Sequence, residues 1–208
     1  MKRFLPVALM VLTAALLIVA CGDDGITPPY HPPHQSFQDL SQKWHVLNNF
    51  ELAHNKLEIT PYDQLLDNKY TFTFDTIQNN AVVTIQWGRD VEVPTTDALF
   101  ANVNSINFDL VDLEKVTWTE TAATDDSNEK WYVGVRFYIF TVKIGDTTYT
   151  SVESGQLSFT VRNAGTVDKP RWTLVGLRDL AQVTAPPAEA AALQHTDRTT
   201  YGQMKSGM

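Results

Sequence analysis

Between Ser36 and Asp75 the spacing of apolar positions changes from one regular period to another. Leu40, Trp44, Leu47, Phe50, His54 and Leu57 recur at steps of three and four, which places them on one stripe of an amphipathic helix. Tyr70, Phe72 and Phe74 then alternate with Thr71 and Thr73, the period-two signature of a half-buried strand. Ser36 and Asp39 have the spacing of a capping box and predict the start of the long helix there. Thr60-Pro61-Tyr62-Asp63 predicts a second, shorter helix with Thr60 as N-cap and Pro61 at its first position.

The rest of the chain reads mainly as strands. Ala81 to Gly88 places Val83, Ile85 and Trp87 on one face, and Pro94 to Asp97 opens a short helix running to Phe100. Ile106, Phe108 and Leu110 alternate with polar residues, as do Val116 and Trp118; Thr121 to Glu129 is a polar, acidic loop. Lys130 to Ile144 is the longest strand. Trp131, Val133, Val135, Phe137 and Ile139 lie on one face and Tyr132, Tyr138, Phe140 and Val142 on the other, which predicts a mid-sheet strand covered on both sides. Thr147 to Val152, Gln156 to Arg162 and Arg171 to Arg178 follow after turns. The expected fold is α+β: one domain over 36–180, with N-terminal helices packed on a curved sheet of consecutive antiparallel strands. A lipocalin-like barrel is the runner-up, and the long leading helix argues against it. Residues 181–208 read as a flexible extension, in which Tyr201 to Lys205 could dock.

The first 35 residues change the picture from a bare domain to an anchored one. Lys2 and Arg3 precede an uncharged apolar run from Phe4 to Ala20, the layout of a secretory signal. Ile18-Val19-Ala20-Cys21 resembles the lipobox of bacterial lipoproteins, which implies removal of residues 1–20 and lipidation of Cys21, the chain's single cysteine. Gly22 after that cysteine favours the outer membrane facing the periplasm. Residues 21–35, rich in proline and acid, read as a tether. Loss of Lys2 and Arg3 from 16 basic residues leaves 14 against 24 acidic ones, a formal charge of −10. That surface repels phosphate backbones, so nucleic acid is not an expected partner. Attachment to the membrane is expected through lipid alone.

The YDQLLD segment followed by YTFTF, then Trp87-Gly88-Arg89, then RWTLVGLRDL resembles the SnoaL-like branch of the nuclear transport factor 2-like superfamily, and within it an uncharacterised lipoprotein branch. Trp172, Leu174, Leu177 and Asp179 match the W-x-[LIV]-x-x-[WL]-x-D strand that ends that fold, and Tyr201-Gly202-x-x-Lys205 is similar to a short closing segment. The resemblance implies a cystatin-like cone: a curved antiparallel sheet wrapped against a helical hairpin around a conical pocket. The superfamily holds isomerases, dehydratases and cyclases beside non-enzymatic binding and dimerisation modules, so the fold leaves function open.

Candidate pocket residues are few, and each has a structural alternative. His54 sits on the apolar stripe and could serve as a general base, or simply be packed with its ring nitrogens satisfied; the packed reading is preferred. Tyr62 could donate to a ligand, Asp75 could act as a strand carboxylate base, and Trp87 and Tyr138 could wall a pocket. Asp109 and Asp179 are the other strand carboxylates, and Arg136 and Arg162 the strand cations, with salt bridging their expected role. The aspartate–tyrosine–carboxyl trio of ketosteroid-isomerase relatives does not map onto the chain residue by residue. No metal is expected: His31 and His34 stand on the tether without thiolates or clustered carboxylates. No cofactor is expected either, since a Gly-rich phosphate loop is lacking. Two classes stay open: an envelope module binding a small apolar ligand or a protein partner, itself included as a homodimer, and a SnoaL-like enzyme moving a proton on a carbonyl compound.

Overall fold

The computed structural model describes residues 36–79, 81–123, 129–150, 155–180 and 200–206. The signal, Cys21, the tether and residues 181–199 lie outside the described residues.

Helix α1 spans Lys43–Lys56 and buries Val46, Leu47, Phe50, Ala53 and His54. It starts later than the Ser36–Asp39 spacing predicts. Asp39 instead accepts a bond from Ser41 Oγ at 2.6 Å and pairs with His45 Nδ1 at 2.9 Å, and the helix carries no side-chain N-cap. Leu57 ends α1 in the left-handed region (φ 56°), where its N–H reaches His54 O and that of Glu58 reaches Ala53 O. The chain then turns at once into α2, Ile59–Leu65. Thr60 and Pro61 therefore lie inside the first turn of α2, where a missing proline N–H costs nothing because first-turn amides have no intrahelical acceptor.

Strand β1 covers Leu66–Gln78, with Tyr70, Phe72 and Phe74 buried as their alternation requires. Strand β2, Ala81–Gly88, returns antiparallel to it. Helix α3 runs from Arg89 to Asn102, five residues earlier than Pro94 suggests. Asp90 and Glu92 in its first turn suit the positive helix end, and Pro94 sits one turn inside at the loss of one backbone bond. Strand β3 is Ser105–Leu110 and β4 is Thr119–Ala122. Val116 and Trp118 precede β4 rather than forming it, because both lean over Gly134, where a Cβ would stand 2.6 Å from Val116 Cγ1.

Strands β5, Lys130–Ile144, β6, Thr147–Thr150, β7, Gly155–Asn163, and β8, Trp172–Asp179, complete an eight-stranded sheet. The order is β2-β1-β8-β7-β5-β3, with β4 and β6 also on β5. All pairings are antiparallel except β1–β8, which is parallel, so the sheet is mixed and not a run of consecutive antiparallel strands. A bulge in β8 near Val175 lets Leu174 and Leu177 both face the helices while Val175 turns to the opposite side.

Helices and the inner face of the sheet enclose one core, from Phe50 and Tyr62 to Phe108, Phe140, Phe159 and Leu177. The fold is α+β, with N-terminal helices laid on the sheet. Strand β5 is mid-sheet, but its second face is covered at Trp131 and open farther along. Tyr138, Phe140 and Val142 are buried, whereas Phe137 is 52% exposed, with Val135 and Ile139 also open. The Tyr201 to Lys205 stretch docks, as its sequence allowed: Tyr201–Ser206 forms helix α4, and Tyr201, Met204 and Lys205 are buried in the core.

Candidate functional site

The polar residues of the interior gather around Glu92 on α3, whose side chain has no exposure at all. Trp87 Nε1 at the end of β2 donates to its Oε2 at 2.6 Å. Tyr62 Oη on α2 donates to Oε1, and Lys205 Nζ on α4 donates to the same oxygen. Burial works to raise the Glu92 pKa, but the Lys205 charge and the bonds from Lys205, Tyr62 and Trp87 bring it below the usual carboxylate range. Burial lowers the Lys205 ammonium, and Glu92 opposes that shift. Burial first, and then the Glu92 charge, push the Tyr62 phenol well up.

His54 stands beside this pair and is fully buried. Its Nδ1 lies 2.8 Å from Phe50 O, a pure acceptor, so that nitrogen carries the proton. Its Nε2 then accepts from Tyr201 Oη, also at 2.8 Å. Burial pushes the imidazole down to about 3, which keeps it neutral. Both ring nitrogens are committed, so in this arrangement His54 is a packed histidine that neither takes nor gives a proton to a ligand.

Tyr138 and Asp179 hold the start of α4. Tyr138 Oη accepts the N–H of Tyr201 at 3.0 Å, and Asp179 Oδ2 accepts the N–H of Gly202 at 3.0 Å. Thr200 and Gln203 close a reciprocal capping box: Gln203 N–H reaches Thr200 Oγ1 at 3.2 Å and Thr200 N–H reaches Gln203 Oε1 at 3.1 Å. Gly202 is required by contact, since a Cβ there would lie 2.4 Å from Phe74 Cγ. Residues 201–205 thus pack into the interior, with the Tyr201 ring against Phe50, His54 and Phe140.

Of the sequence-derived candidates, His54, Tyr62, Trp87 and Tyr138 converge on this interior. Asp75 does not. It accepts from Thr84 Oγ1 at 2.6 Å on the opposite face of β1, in the register of Thr71 and Thr73. Arg162 forms the ion pairs expected of it: two bonds to Asp67 at 2.8 and 3.1 Å and one to Glu129 at 2.9 Å. Asp109 is exposed on β3. Glu92, Tyr201 and Lys205 are the residues that strand and helix patterns did not single out for the site. The capping-box spacing Thr200-x-x-Gln203 was the available signal for a formed helix there.

An open cleft of about 340 Å³ lies on the outer face of the sheet, lined by Thr71, Thr73, Gln86, Trp131, Thr160 and Arg178 among others. Lys69 at its edge bonds Glu129 at 3.3 Å, which links the cleft to the Asp67–Arg162 pair. Among the described residues, no three His, Cys, Asp or Glu side chains are grouped to share a metal ion.

No family model matches the sequence, and no curated protein matches it. Solved structures align with much of the chain at low identity. An NTF2-like superfamily protein from Salmonella enterica aligns at 12% identity over 69% of this chain and 91% of its own, with a TM-score of 0.46. An NTF2-like protein of unknown function from Rhodospirillum rubrum aligns at 14% identity over 66% and 96%, TM-score 0.44. A conserved protein from Planctomyces limnophilus aligns at 11% identity over 64% and 88%, TM-score 0.45.

Proposed function

We propose that the protein is a cell-envelope module, anchored through a lipid on Cys21, that binds a ligand or partner without transforming it. One observation carries the non-catalytic part. Three groups able to act as base or oxyanion donor are bonded to one another and to residues 201–205: His54 to Tyr201, Tyr62 to Glu92, Glu92 to Lys205. An enzyme moving a proton needs a free base and a donor converging on one accessible atom of the substrate. The apolar run ending at Cys21 supports the anchor. Open apolar side chains along β5 support a partner or a second copy on the outer face.

A second reading, proton transfer on a carbonyl compound, is favoured by the buried carboxylate with a phenol and an indole N–H already on it. With α4 displaced, Glu92 would be the base and Tyr62 the donor. Native mass spectrometry of protein purified from its own host identifies what it carries. Incubating that compound with the protein in deuterated water then separates the readings. Binding with no exchange at carbon beside a carbonyl is the expected result; exchange that Glu92→Gln removes would establish the enzyme. For the anchor, Cys21→Ser should abolish acyl labelling and release the protein from membranes, and unchanged fractionation would end that part of the proposal.

A further inference from the structure

Lys205 occupies its place in the manner of a bound ligand. Its ammonium meets Glu92 with neither side chain exposed, and it lies 5.6 Å from the Tyr62 ring centroid and 5.4 Å from that of Phe72. Tyr62, Phe72, Trp87 and Glu92 come from α2, β1, β2 and α3, so the carboxylate, its two orienting donors and two aromatic walls are supplied without α4, while a third ring, Tyr201 at 5.2 Å, is on α4 itself. Trp87 and Tyr62 hold the carboxylate in place, and the remaining direction at Oε1 is the one Lys205 fills. Aromatic faces around an ammonium opposite a carboxylate select a cation and reject an anion, while the desolvated setting rejects a neutral occupant that leaves the charge unpaired. Helix α4 has six residues, too few for a helix to hold by itself in water, so its seat depends on the contacts it makes here.

We propose that the interior around Glu92 is a binding site for a primary ammonium group on an unbranched aliphatic stem, with Lys205 as its tethered occupant. The proposal rests on the ligand-binding reading above and adds a place and a chemistry for what binds. A free alkylamine and a lysine side chain of another molecule share this chemistry.

The test uses the full chain carrying Lys205→Ala, which removes three methylenes and the ammonium while keeping α4. The variant is titrated with n-propylamine, Nα-acetyl-lysine methylamide, 1-propanol and propionate, and the thermal midpoint is read. A four-atom ligand bound at about −1 kcal/mol per heavy atom, inside the ceiling for the smallest ligands, is half-saturating on the order of 1 mM. Tenfold that concentration raises the midpoint by about 3 °C if the site is as described. The expected pattern is a gain with n-propylamine, none with 1-propanol or propionate, and none in Lys205→Ala/Glu92→Gln. A larger gain with the lysine derivative assigns the site to a lysine side chain; a larger gain with n-propylamine assigns it to a free amine. If Lys205→Ala does not fold in buffer, refolding in n-propylamine is scored the same way. No gain from either amine, or an equal gain from 1-propanol, overturns the proposal and leaves Lys205 a structural residue. A neutral or anionic ligand found on the native protein sinks this inference alone, whereas turnover of a bound carbonyl compound sinks the non-catalytic reading and leaves the amine site standing.

Discussion

Lys205 and Glu92, 113 residues apart in sequence, form an ion pair in which neither side chain touches solvent. Removing one member of such a pair leaves a desolvated charge, whereas removing both removes the charge but leaves the Tyr62 hydroxyl and the Trp87 N–H without their acceptor. Lys205→Met is expected to cost roughly 3–5 kcal/mol in urea unfolding, and Lys205→Met/Glu92→Leu less than the sum of the two single variants. A double variant as unstable as the sum of the singles would show that the two side chains act independently.

Gly202 sits against the Phe74 ring and leaves no room for a Cβ. Gly202→Ala must push α4 away from β1 or move the ring, at a cost of about 1–3 kcal/mol. Limited proteolysis should then cut within residues 200–206 sooner than in the unaltered protein. Equal cutting rates would mean that the ring gives way and α4 stays seated.

Where a strand or helix buries a regular face, the sequence disclosed it. Tyr70, Phe72 and Phe74, then Tyr138, Phe140 and Val142, and Leu157, Phe159 and Val161 all lie where alternation puts them, whereas the second face of Lys130–Ile144, expected to be covered, is open at Val135, Phe137 and Ile139. Boundaries set by local chemistry were less legible. Thr60-Pro61 and Pro94 looked like helix starts, yet both helices begin earlier, because a proline within the first turns costs little and neighbouring residues had reasons to be helical. The site itself was half legible. His54, Tyr62, Trp87 and Tyr138 could be placed on elements that share an interior, but Glu92 and Lys205 meet only after the chain folds, and no local period marks such a pair.

Phe137, half-exposed on the outer face between Val135 and Ile139, would be the centre of the proposed interface between copies. Phe137→Lys is expected to shift the sedimentation coefficient from dimer to monomer at micromolar concentration while leaving the thermal midpoint of the fold within a few degrees. A wild-type protein that sediments as a monomer at every concentration would remove the homodimer from consideration.

One part-buried group and one buried group set opposite limits on stability across pH. Burial pushes Glu51 up to about 7, helped by Asp109 and opposed by the N–H of Leu110, which donates to Oε2 at 3.0 Å. The unfolded chain releases this proton near 4.5, so between about pH 4.5 and 7 the folded state binds more protons and stability falls as pH rises. With partial exposure discounted, the loss is about 2 kcal/mol. His54 works the other way. Its folded value of about 3 lies below the ordinary 6.5, so the unfolded chain binds the extra proton and stability falls as pH drops from about 6.5 toward 3. Urea unfolding should therefore show greatest stability between the two limits, near pH 5–6. Glu51→Gln keeps an oxygen for Leu110 N–H and should remove only the alkaline decline, making the variant about 2 kcal/mol more stable than wild type at pH 8 and no different at pH 4. His54→Gln should lower stability at neutral pH and flatten the acid limb. If Glu51→Gln shifts stability equally at pH 4 and pH 8, the carboxyl is not the titrating group, and the alkaline decline must come from another residue.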